Sequence, residues 1–201
     1  MIPLFHDFTD RRVVIFGGGA VAARKAALFA TEAEVVVPSL AFHERFSEID
    51  CRLHRTQIDG DLAAWYADDA FLVIPATDDA ELNDRIAARA AEQGALVNRV
   101  DEAGRTITPS VIAGDNLTVG IATGGGSPAV SKYLRQQLEA EFETLDPMVE
   151  LQSELRERAE DLPSAARREF LWDVLEDDRI HETLEAGKFE QARTLAMEHH
   201  P

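Results

Sequence analysis

Apolar residues follow two different rhythms along this chain. Up to about residue 100, short unbroken apolar runs alternate with amphipathic stretches. Arg12 to Phe16 (RVVIF) is one such run and ends at glycines, the form of a strand buried on both faces of a parallel sheet. Ala20 to Ala33 is alanine-rich and predicts a helix, and Glu34 to Val37 predicts a second strand stopped by Pro38. Cys51 to Ile58 is a weaker strand candidate and Ala70 to Ile74 a strong one. Asp79 to Gln93 predicts a helix, with Asp78 or Asp79 as N-cap and Gly94 as its stop, and Ala95 to Val100 a further strand. This order predicts an α/β fold: a Rossmann-type parallel sheet with helices on both faces.

The rhythm then changes. Thr106 to Ile112 and Asn116 to Ala122 alternate apolar and polar residues around the turn signal Gly114-Asp115-Asn116, which predicts an antiparallel pair. Ser127-Pro128 opens a long helix, serine as N-cap and proline at its first position, and Asp146-Pro147 is expected to end it. Residues 148–201 read as helices, with breaks near 162–164 and 186–188. Phe170, Leu171, Trp172, Val174, Leu175, Ile180 and Leu184 supply their apolar face, with Trp172 expected in the core. The expected division is 1–112, 113–146 and an all-helical 147–201.

Composition narrows the classes. The 201 residues include one cysteine, Cys51, which excludes an internal disulfide framework and a cysteine-based zinc site. No run approaches the roughly 18 apolar residues of a membrane helix, and the start lacks a secretory pattern, so a soluble cytoplasmic protein is expected. The net charge of −17 disfavours nucleic acid and anionic membranes as partners. Its three lysines (Lys25, Lys132, Lys188) among many carboxylates match the composition of proteins working in high salt. The charge is uneven: net −6 over residues 1–100, zero over 101–138 and −11 over 139–201.

The first strand is followed by Gly17-Gly18-Gly19-Ala20-Val21-Ala22, in which Gly17, Gly19 and Ala22 fill the positions of G-x-G-x-x-A. Gly17 permits a tight turn, Gly19 lets a pyrophosphate approach the backbone, and Ala22 lets the helix lie against the strand, its N–H groups facing the anion. The acid that normally ends the second strand and binds the NAD ribose is missing. Val37-Pro38-Ser39-Leu40 stands there, with Ser39 as a candidate for the ribose and no arginine for a 2′-phosphate. These residues leave NAD against NADP open.

Three further polar clusters are expected near the carboxyl ends of the strands: Ala76-Thr77-Asp78-Asp79, Asn98-Arg99-Val100-Asp101 and Gly124-Gly125-Gly126-Ser127-Pro128. Asp101 reads equally as a proton acceptor beside the cofactor and as a turn residue capping a strand. Ser127 reads first as a helix cap. No His/Cys cluster has metal-ligand spacing; His199-His200 reads as a loose tail and His181 as a helix-surface residue.

Together with Pro3-Leu4-Phe5, Val14 to Lys25 (VIFGGGAVAARK) and Thr108 to Ile112 (TPSVI), these clusters resemble the dehydrogenase domain of siroheme synthase, which also occurs alone as precorrin-2 dehydrogenase. The resemblance covers residues 1–145 and extends loosely into the tail through Arg168 to Trp172 and Asp178 to Ile180. It implies NAD-dependent oxidation of precorrin-2 to sirohydrochlorin, with insertion of Fe2+ in some members. It also implies a homodimer that exchanges roughly residues 113–145. Asp101 is then the key catalytic residue. Gly17, Gly18, Gly19, Ala20, Val21, Ala22, Ser39, Thr77, Asp78 and Asn98 would serve the cofactor. Arg99, Arg105, Ser110, Gly125, Ser127 and Lys132 would serve the polycarboxylate tetrapyrrole. Arg99 departs from the Asn-Val-Val-Asp often found in the family and adds a cation. With 201 residues the chain is expected to lack the fused methyltransferase domain and to receive precorrin-2 from a separate methyltransferase. Two other classes compete: a nucleotide-sensing Rossmann module, which would keep the acid after the second strand, and a dehydrogenase of small acids, which would need a catalytic His or Lys pairing.

Overall fold

The computed structural model describes residues 3–99, 108–124 and 126–201. The chain divides into two compact units, Met1–Thr108 and Pro109–Pro201. Asp101, Arg105 and Gly125 lie outside the described residues.

The first unit is built on five parallel strands: β1 (Arg12–Phe16), β2 (Glu34–Ser39), β3 (Arg52–Arg55), β4 (Leu72–Pro75) and β5 (Leu96–Val97). Their order is β3-β2-β1-β4-β5. Side chains alternate across the sheet. Val13, Ile15, Val35, Val37, Leu72 and Ile74 face one way and are covered by Ala22, Ala23 and Ala26 of α1 (Ala20–Phe29). Val14, Phe16, Val36 and Val73 face the other way, under Ala63, Tyr66 and Ala67 of α2 (Gly60–Ala67) and Ile86 and Ala90 of α3 (Ala80–Glu92). Each such apolar side chain contributes about 1.5–3 kcal/mol by leaving water, which is why both faces of a parallel sheet must be covered.

Three local readings change in this unit. First, α1 ends at Phe29 rather than Ala33, because the Thr31 hydroxyl donates to Leu28 O and the Ala33 N–H to Phe29 O, closing a turn before β2. Second, Pro38 does not stop β2. The β1–β2 register ends at Val14↔Val36, so no ladder bond there requires its missing N–H, and its carbonyl accepts from Gly17 N at 3.1 Å. Third, α2 forms between Ile58 and Ala70, where the residue pattern predicts no element. Asp59 caps it, its carboxylate accepting from Leu62 N at 2.8 Å. The expected α3 cap is Asp79, accepting from Leu82 N at 3.0 Å, and Gly94 follows in the left-handed region at φ +84°.

In the second unit β6 (Ser110–Ala113) and β7 (Thr118–Ile121) pair antiparallel and pack against α4 (Pro128–Arg158). Ser127 caps α4, its hydroxyl accepting from Val130 N. The helix passes through Asp146-Pro147 instead of ending there. Pro147 removes one helical bond, at a cost of about 3 kcal/mol. Met148, Leu151, Leu155 and Ala159 continue one buried stripe beyond it, and that packing outweighs the lost bond. The stripe meets Phe170 and Val174 of α5 (Ser164–Glu176), Ile180 and Leu184 of α6 (Asp178–Glu185), and Ala192 and Ala196 of α7 (Phe189–Met197).

Trp172 is not in this core. It lies midway in sequence between Phe170 and Val174, hence on the opposite side of α5, is 57% exposed, and donates from Nε1 to Glu176. Nor is His199-His200 a loose tail. His199 Nε2 lies 2.9 Å from Asp177 Oδ2, and the His200 ring packs edge-on against Phe170. Asp177 also caps α6 and binds the Arg179 guanidinium, which with His199 holds its carboxyl well below the usual range.

Asp146 performs the same service for the β6–β7 turn. Its carboxylate accepts from the N–H groups of Asn116, Leu117 and Asp115 at 2.9, 2.7 and 3.2 Å. These bonds, Asn116 first, hold its carboxyl below the ordinary value. The stabilisation is therefore present above about pH 4 and is lost as pH falls through the lowered folded pKa. Asp146→Asn, which keeps the shape without the charge, is expected to lower the thermal midpoint at pH 7 and to flatten its acid-side decline. Melting curves from pH 7 to pH 3 check both.

Candidate cofactor site

The connections that follow β1 and β4 run to opposite faces of the sheet, α1 covering one and α3 the other, so a crevice opens at the carboxyl ends of β1 and β4, the switch point where α/β proteins bind ligands. The glycine run lies here. Gly17 has φ +109°, a region only glycine occupies at ease, and a Cβ on it would overlap the Ala76 carbonyl, with the Ala76 carbonyl carbon at 2.8 Å. A Cβ on Gly18 would strike the Ala41 carbonyl and come within 2.9 Å of Ser39 Oγ. Gly18 O also accepts from His43 N at 2.7 Å. Gly17 and Gly18 are thus wedged between the loops after β4 and β2.

Gly19 differs. Nothing lies within 4 Å of where its Cβ would stand. It is the N-cap of α1, without a side-chain cap and without an acid in the first turn. Ala20 and Val21 are exposed, while Ala22 and Ala23 are fully buried against the sheet. The amides at this end of α1 therefore face an open approach with the positive end of the helix behind them. A pyrophosphate fits that arrangement.

The wall beside it is the β4–α3 loop, held by a residue that sequence reasoning missed. Asn83 of α3 is 2% exposed. Its Oδ1 accepts from Thr77 Oγ1 at 2.8 Å and Thr77 N at 3.2 Å, and its Nδ2 donates to Thr77 O at 3.1 Å. The signal was there: Asn83, Ile86 and Ala90 share the inward face of α3, and a polar residue on an apolar stripe needs partners. Asp78, beside Thr77, is exposed. Asn98 is buried just past β5, where its Oδ1 accepts from Thr108 Oγ1 and its N–H donates to Val73 O.

The other sequence candidates are placed as follows. The Ser39 hydroxyl donates to Ala41 O at 3.0 Å and so holds the loop beneath Gly18. Arg99 bonds Asp84 of α3 at 2.6 Å, with its side chain only 11% exposed. In the second unit Ser110 begins β6, and Ser127 shares a hydrogen-bonded corner with Thr123 and Ser131. Lys132 is exposed on α4. Lys25, which motif reading left without a role, is half-buried on α1; burial, with Arg24 adding, pushes its ammonium pKa down to about 8. Among the described residues no group of three or more His, Cys, Asp or Glu is placed to hold a metal ion, and no helix is long and apolar enough to cross a membrane.

A glycine loop and bare helix N-terminus at the switch point of a parallel sheet define a dinucleotide-binding protein of the Rossmann class. A family model described as putative NAD(P)-binding matches residues 4–110. Precorrin-2 dehydrogenase of Methanosarcina barkeri is 42% identical over 190 residues, covering 89% of this chain and 84% of that protein. Siroheme synthase of Sodalis glossinidius is 34% identical over 196 residues; the match takes in 95% of this chain and 42% of that longer protein. The solved structure of SirC, a precorrin-2 dehydrogenase, has the same fold, with a TM-score of 0.74 over 98% of this chain and 100% of that chain at 21% identity. The chain belongs to the precorrin-2 dehydrogenase family.

The glycines should separate fold from binding. Gly19→Ala meets no atom and has an ordinary φ of −78°, so its stability should change by no more than about 0.5 kcal/mol, while NAD affinity falls roughly tenfold or more. Gly17→Ala should cost about 1–3 kcal/mol of stability in addition. Calorimetric melting and NAD titration of both variants check this.

Proposed function

We propose that this chain oxidises precorrin-2 to sirohydrochlorin with NAD in siroheme biosynthesis. The observation that carries the reading is the uncapped, acid-free start of α1 behind Gly19 at the β1/β4 switch point. NAD supplies the hydride acceptor, nicotinamide C4. Helix α1 would hold its pyrophosphate, and Thr77, fixed by Asn83, and Asn98 would line the nicotinamide side. Loss of a hydride from the substrate leaves one proton to be removed. Asp101, four residues past β5 in sequence, is the group proposed to take it or to orient a substrate N–H.

Substrate capture must overcome charge, since a net −17 chain repels a polycarboxylate. The neutral stretch 101–138 is proposed to receive it, through Arg105, Ser110, Gly125, Ser127 and Lys132. Arg99 is the weaker candidate of the set, because Asp84 already neutralises it. A homodimer through residues 113–146 is also proposed. Val130, Tyr133, Leu134 and Leu138 form an apolar stripe on α4 and are 48, 61, 41 and 40% exposed. The two-stranded β6–β7 ribbon gains from the same pairing.

The deciding assay is anaerobic: precorrin-2 and NAD are supplied, and NADH and sirohydrochlorin are followed. No NADH above the enzyme-free control, at low and at multimolar salt, would sink the proposal. Asp101→Ala should reduce turnover to background while NAD still binds. Tetrapyrrole affinity should rise with salt concentration as repulsion is screened; steady weakening would count against the charge argument. Fe2+ supplied with sirohydrochlorin tests metal insertion separately.

A further inference from the structure

The carboxyl end of β2 is where a Rossmann site meets the adenosine ribose of its dinucleotide, and an acid there would repel a 2′-phosphate. Residues 37–43 here read Val-Pro-Ser-Leu-Ala-Phe-His and contain no acid. What this corner does contain comes from the neighbouring strand. Arg55, the last residue of β3, is in register with Ser39, the last of β2. Its Nη1 donates to Leu40 O at 2.9 Å, and its guanidinium carbon lies 5.7 Å from the centroid of the Phe42 ring.

These two contacts orient the guanidinium but leave its charge unanswered. Arg55 is exposed and has no carboxylate partner among the described residues, whereas Arg52 on the same strand pairs with Glu34 at 2.8 Å. The corner is also tied to the phosphate loop, through His43 N donating to Gly18 O and Ser39 Oγ donating to Ala41 O. A guanidinium with donors to spare suits a phosphate monoester, to which it can present two parallel N–H groups.

We propose that Arg55 is a specificity-determining residue that lets this site accept the 2′-phosphorylated dinucleotide, NADP, as well as NAD. The inference rests on the dinucleotide-binding reading of the glycine loop and goes beyond it. Binding of the oxidised cofactors is measured by calorimetry on the intact chain, without substrate, alongside 2′,5′-ADP as a probe of the phosphate alone. NADP is expected to bind within about tenfold of NAD. Arg55→Gln removes a charge-assisted contact of about 1.5–3 kcal/mol, so the ratio of NADP to NAD dissociation constants should rise roughly 10- to 150-fold, and 2′,5′-ADP should weaken in step. Arg55→Lys, which keeps the charge but not the fork, should fall between. Raising salt should erode NADP binding more than NAD binding. A ratio that stays the same in Arg55→Gln, or NADP binding more than a hundredfold weaker than NAD in the unaltered chain, overturns the proposal while leaving the NAD site intact. Binding of neither dinucleotide overturns the site itself.

Discussion

The close approach of Gly17 to the Ala76 carbonyl is the contact on which the first unit depends. Two loops that leave adjacent strands must cross there. They can do so only because one carries no Cβ and adopts a φ of +109°. Once Gly17 is seated, Gly18 is pressed on the Ala41 carbonyl and Gly19 caps α1, whose first amides point outward. The buried Asn83 holds the other loop with three hydrogen bonds to Thr77. Backbone crowding and one buried amide thus set the position of the glycine loop, the start of α1 and the loop beside them.

Charge is managed locally within an acidic chain. Carboxylates serve repeatedly as acceptors for backbone N–H groups: Asp59 and Asp79 start helices, Asp146 closes a strand turn, and Asp177 starts α6 while anchoring Arg179 and His199. These acids are structural, each holding main-chain N–H groups in place. The cations divide differently. Arg52 and Arg99 are neutralised by Glu34 and Asp84, while Arg55 reaches only a carbonyl and an aromatic face.

The second unit shows packing overriding local preference. Pro147 sits inside a 31-residue helix because Met148, Leu151, Leu155 and Ala159 extend a stripe that the other helices cover. The amino-terminal half of the same helix carries an apolar stripe that stays exposed in the single chain. One helix thus supplies a core at one end and an exposed apolar stripe at the other.

Much of this was legible in the residues themselves. Unbroken apolar runs set the order of strands, because a strand covered on both faces has no polar positions to alternate. The glycine loop disclosed its chemistry, because each position answers a steric demand that few residues meet. Asp79, Gly94, Ser127 and Pro128 marked helix ends through local hydrogen bonding and backbone geometry, which depend on neighbours in sequence. What tertiary structure decided was everything that depends on residues far apart in the chain. The continuation of β2 through Pro38 depended on where β1 leaves the sheet, and the outward turn of Trp172 on which side of α5 met α4. Arg55 was invisible as a cofactor residue because it lies 16 positions beyond Ser39 in sequence and becomes its neighbour only through the β2–β3 register. A sequence records local propensities directly, but long-range pairing is settled by burial, and burial exists only once the chain has folded.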